Sequence, residues 1–117
     1  MGVFNKSESI NNETTVISSG AVFKGDFDVN GNVHIDGAIE GNIYTKANIS
    51  IGKSGKVKGE IKACKIVISG VFEGKADCNE VEVLKGGVLK GEISVKSIII
   101  ERGGDFDGLC QKKQPKK

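Results

Sequence analysis

An all-β solenoid of about six turns is expected from three observations on this 117-residue chain. A short apolar-x-Gly-x-apolar unit recurs six times, at intervals of 16, 18, 15, 17 and 17 residues. An apolar-x-apolar pair precedes each copy at a nearly fixed distance. The chain has 17 glycines but only 1 proline, and Pro115 lies beyond the last copy. A repeat this short cannot bury a core alone and becomes stable only by stacking on its neighbours. Stacked strands use every backbone N–H, which keeps proline out of their interior.

The apolar pairs are Thr15/Ile17, Val33/Ile35, Ile49/Ile51, Ile66/Ile68, Val81/Val83 and Ile98/Ile100. Their period of 2 reads as a short strand whose alternate side chains share a face. Turn residues follow, as in SSG, DG, GKSG, SG, KGG and ERGG. A two-residue insertion at this corner explains most of the uneven spacing. The glycine units come next: FKGDF, IEGNI, VKGEI, FEGKA, LKGEI and FDGLC, centred on Gly25, Gly41, Gly59, Gly74, Gly91 and Gly108. First, third and fifth positions share a strand face. Each glycine is therefore expected to point inward, or to mark a bend, where a side chain would crowd a narrow core. A third apolar segment follows in phase, at Val29, Thr45, Ala63, Cys78 and Val95. Three short strands per turn are expected, with no significant helix.

The residue before each glycine should point outward. It reads Lys24, Glu40, Lys58, Glu73, Lys90 and Asp107, alternating in sign at every turn. Opposite charges on adjacent strands attract and like charges repel. The ladder would fix turn-to-turn register; a solvated face with chance alternation is the plainer alternative.

Composition and motifs exclude many chemistries. A net charge of +2 makes no general case for nucleic acid, and none is expected as a partner. Cys64, Cys78 and Cys110 are odd in number and form no CxxC, so neither a disulfide framework nor a zinc site is signalled. Idle thiols fit a reducing cytosol. His34 is the single histidine, the outward middle residue of its pair, and has no Cys/His cluster around it. There is no P-loop, and the Gly-x-Gly stretches precede no helix. No cofactor, catalytic residue or metal ligand is expected. MGVFNKSESINNE carries no apolar run of signal-peptide length, and no stretch approaches 18 apolar residues.

The expected solenoid occupies residues 14–110, between a flexible arm (1–13) and a basic, disordered tail (111–117, QKKQPKK). Neither end of the solenoid has an obvious cap. Uncapped, compatible ends predict end-to-end stacking, with Thr15 and Ile17 at one end and Phe106 and Leu109 at the other. Met1, Val3, Phe4 and Lys6 form an apolar tip with a cation, suited to an anionic bilayer, though a plain disordered arm is the alternative. The lysine tail is a second candidate for that contact.

The runs VHIDGAIEGNI (33–43), ISIGKSGKVKGEI (49–61), IVISGVFEG (66–74) and LKGEI (89–93), with the short MGVFNK start, resemble bactofilins. The resemblance covers roughly residues 14–110. It implies a right-handed parallel β-helix of triangular cross-section that polymerises without nucleotide or metal. It also implies a cytoskeletal scaffold at the inner face of the cytoplasmic membrane, held by Met1, Val3, Phe4 and Lys6. Such scaffolds localise cell-wall enzymes, among them membrane-bound peptidoglycan hydrolases or shape-complex proteins, and so help set cell shape. The apolar terminal-turn contact maps onto Phe106. The chain departs from the family in its short C-terminal tail and in Asp105 and Asp107 beside that phenylalanine.

Two other readings stand beside this one. A left-handed hexapeptide β-helix, as in some acyltransferases, has turns of similar length, and Val33, Ile39, Thr45, Ile51, Val57 and Ala63 recur every six residues. Turns of 15 and 17 residues break that pattern, and His34 would need a trimer around it to serve catalysis. A passive adaptor that binds a partner without polymerising is the third.

Overall fold

A computed structural model describes residues 14–112. The described chain is a coil of six turns, each a four-residue strand followed by a longer one. Turn one holds β1 (Thr14–Ile17) and β2 (Val22–Val29), and turn two β3 (Asn32–Ile35) and β4 (Ala38–Thr45). Turn three holds β5 (Asn48–Ile51) and β6 (Lys56–Lys62), and turn four β7 (Lys65–Ile68) and β8 (Val71–Asp77). Turn five holds β9 (Glu80–Val83) and β10 (Val88–Val95), and turn six β11 (Ser97–Ile100) and β12 (Asp105–Lys112). The short strands stack in one parallel six-stranded sheet, and the long strands in another. No helix occurs among the described residues, and none is long and apolar enough to cross a membrane.

Two features differ from the expectation. The second and third strands of each turn are one continuous strand that runs through the glycine. The glycine is also not excluded by core side chains. At Gly59 φ is +130°, and an added Cβ would lie 1.9 Å from the Gly41 carbonyl oxygen on the preceding turn. Gly41, Gly74, Gly91 and Gly108 repeat the geometry. The missing side chain would point along the stack, into backbone. The positive φ redirects the strand, so its two halves and the short strand make three faces per turn.

Corner length accounts for the irregular period. Turns one, three, five and six carry four-residue corners between short and long strand, and turns two and four carry two. Each long corner closes on itself, as in Gly55 N–H to Gly52 C=O at 2.9 Å and Gly87 N–H to Leu84 C=O at 2.8 Å. Corners also bond the turn before, as Lys56 does to Gly37 and Val88 to Gly70. Inserting residues here leaves strand register untouched.

The core is a set of inward rows, one residue per turn. Phe72 is fully buried between Val57 and Leu89 of its neighbouring turns. Its turn compensates with Ala76, where adjacent turns carry Ile61 and Ile93. Volume is thus roughly conserved within the turn. Thr45 is the buried polar residue of the core; its Oγ1 donates to Gly31 C=O at 2.7 Å and accepts from Ala47 N–H at 3.1 Å.

Candidate polymerisation surfaces

The two sheets end on unpaired strands. β1 and β2 form the edge at one end of the coil, and β11 and β12 at the other. Among the described residues each of these strands pairs with a neighbouring turn on one side only, the arrangement that recruits another chain. The inward rows continue to both edges. At the first, Phe23 and Phe27 are half-buried and meet edge to face, with ring centroids 5.4 Å apart. Thr15 is half-buried, whereas Ile17 is buried.

At the last edge Ile98, Phe106 and Cys110 are half-buried, and Ile100 is exposed. Phe106 stacks on Leu89 alone, where its counterpart Phe72 has a residue on each side. The structure separates two residues that the sequence placed together: Phe106 faces the core, while Leu109 lies on the outer face, 51% exposed. β12 runs past Cys110 to Lys112, which occupies the row of Val95. Phe23, Phe27 and Ile100 were missed as end residues. Their signal was present, since each closes an inward row at its first or last turn.

Gly25 adds a further observation. It keeps the ladder conformation, with φ +135°, although no atom of the described residues lies within 4 Å of its would-be Cβ. The edge of turn one thus has the backbone shape that every inner turn uses to receive another. Exposed large apolar side chains also concentrate at the terminal turns, at Val16, Val22, Ile99, Ile100 and Leu109, with Tyr44 the exception among the described residues.

Lys24, Glu40, Lys58, Glu73, Lys90 and Asp107 stand in one register row across the long strands. Among the described residues, Lys24–Glu40 closes an ion pair, at 3.8 Å between well exposed side chains. Such pairs contribute at most about 1 kcal/mol each. Any role in register therefore rests on avoiding like-charge neighbours. Replacing Glu73 with Lys sets three cations in a row, and the melting temperature is expected to fall by a few degrees more at low salt than at high salt. A midpoint that does not respond to salt removes the ladder from the account.

His34 lies outward on β3, its Nε2 hydrogen-bonded to Asp36 Oδ2 at 3.0 Å. Val16 and Ser50 flank it in the same row. Among the described residues no group of three or more His, Cys, Asp or Glu could hold a metal ion. Cys64 is exposed, Cys78 buried and Cys110 half-buried. Met1, Val3, Phe4 and Lys6 lie outside the described residues, as does the tail beyond Lys112.

A family model described as "Bactofilin: Polymer-forming cytoskeletal" matches residues 15–111. Bactofilin BacN of Myxococcus xanthus is 39% identical over 51 residues, 44% of this chain and 45% of that protein. A cryo-EM reconstruction of double helical filaments of Thermus thermophilus bactofilin superposes with a TM-score of 0.80 at 24% identity, over 85% of this chain and 99% of that one. A crystal structure of a mutant of the Thermus protein gives 0.73 at 23%, over 76% of this chain and 100% of that one. Both structures show the same fold. With the family model spanning nearly the whole described coil, the chain belongs to the bactofilins, a family of polymer-forming cytoskeletal proteins and not of enzymes.

Proposed function

We propose that this chain stacks end to end into filaments without nucleotide or metal. The filament acts at the inner face of the cytoplasmic membrane as a scaffold that positions peptidoglycan enzymes and so contributes to cell shape. The observation that carries the reading is the pair of coil ends, where inward apolar rows and the glycine ladder reach strands that pair on one side only among the described residues. The filaments of the Thermus relative support it. Burying a half-exposed Phe23 or Phe106 contributes on the order of 1 kcal/mol, and edge hydrogen bonds orient the contact. The N-terminal segment supplies the membrane contact through Met1, Val3 and Phe4, with Lys6 beside anionic headgroups. One weak anchor per subunit becomes strong when a filament carries many.

Negative-stain microscopy of purified protein, with no nucleotide and with anionic vesicles added, tests both parts. Filaments lying on vesicles are expected, and deletion of residues 1–8 should free them from lipid while leaving them intact. Compact particles without filaments would refute the assembly reading. Undiminished vesicle binding after the deletion would move the anchor to the lysine tail.

A further inference from the structure

The four-residue corners of turns three, five and six carry Lys53, Lys85 and Arg102, all exposed, whereas the two-residue corners of turns two and four carry no cation. On the face formed by the second halves of the long strands, one row reads Asp26, Asn42, Glu60, Lys75 and Glu92 over turns one to five. Asn42 Nδ2 donates to Asp26 Oδ1 at 3.1 Å. Lys53, Lys85, Glu60 and Glu92 are exposed, and none has an ion-pair partner among the described residues. Glu60 and Glu92 line a shallow groove together with Lys62, Lys75 and Ser94.

These two sets share a spacing. Lys53 and Lys85 stand two turns apart, as do Glu60 and Glu92, in the same turns three and five. Two turns of stacked strands span roughly 10 Å. We propose that this corner and this groove are complementary lateral surfaces, through which filaments of this chain align side by side with turns level. Lys53 and Lys85 of one rod then enter the groove beside Glu60 and Glu92 of a second copy. Lys75, in turn four, then faces the two-residue Ser69 corner and meets no cation. A slip of one turn sets a corner lysine against Lys75, so the pattern selects register as well as face. Over turns three to five the pattern is symmetrical about turn four, so across those turns a neighbouring rod running in either direction satisfies it. The two surfaces differ, so the contact is heterologous and extends into sheets.

The inference rests on the end-to-end reading, because single exposed pairs are weak and only repetition along a filament makes them persist. Microscopy at about 25 mM salt should show wild-type filaments aligned laterally, dispersing at about 500 mM as the charges are screened. The double variant Lys53→Glu/Lys85→Glu should give single filaments of unchanged length at low salt. Adding Glu60→Lys and Glu92→Lys to that variant should restore the arrays. Solitary wild-type filaments, arrays that survive the double variant, or a charge swap without rescue would each overturn the lateral surface alone. Absence of any filament would instead overturn the assembly on which it rests.

Discussion

Replacing Gly59 with alanine is expected to unfold the coil or to lower its melting temperature by at least about 15 °C. Two costs combine. A non-glycine residue held at φ +130° is strained by about 1–3 kcal/mol. Its Cβ would also lie 1.9 Å from the Gly41 carbonyl oxygen, so turns two and three must separate and weaken ladder hydrogen bonds on both sides. In a domain of this size each kcal/mol moves the midpoint by roughly 4–8 °C. Gly86→Ala is the control. Its φ is +85°, but nothing lies within 4 Å of the added carbon, so strain acts alone and the midpoint should fall by about 5 °C. Gly25→Ala has the ladder φ and the same open space, so it should melt like the control. It should also impair filament growth, if another chain seats on that edge. Thermal melts followed by circular dichroism decide the matter: equal midpoints for Gly59→Ala and Gly86→Ala would show that backbone approach is not what demands glycine.

Replacing Phe106 with arginine is expected to abolish filaments while leaving the β-rich spectrum and most of the stability intact. Phe106 contacts one neighbouring turn, so the fold loses only a half-buried contact, about 1 kcal/mol. An end contact loses far more, because an unpaired guanidinium would be trapped where a ring should close the core, at a cost of several kcal/mol. Asp105 and Asp107 flank the position and lie exposed on the outer face, so they do not face the buried charge. Sedimentation and negative-stain microscopy give the readout. Filaments of normal length would mean that the last turn is not the contact.

The repeat was legible because its parts are local. Alternation within each strand, glycine at a constant place and turn residues at the corners each follow from a few neighbouring residues. The outward ladder followed from the same alternation, and register pairing places all six members in one row. The ends were legible only in part. Alternation alone set Phe106 inward and Leu109, the residue after Gly108, outward, and the strand lies that way against β10; it did not set them apart as end contacts. The proposed matching of Lys53 and Lys85 to Glu60 and Glu92 was hidden, because it depends on corner length in each turn and on how two surfaces of different strands are aligned.

Alternation and period were enough to specify a parallel coil of six turns, its inward rows and the exclusion of proline from it. They could not say why glycine recurs. From the sequence the glycine read as an inward slot or a bend, in either case relief of a crowded core. The bend is there, at a positive φ, but stacking showed what excludes a side chain: the missing Cβ would strike the carbonyl of the turn before. That contact joins residues 15 to 18 positions apart and exists only once turns are piled on one another, so no local pattern could reveal it.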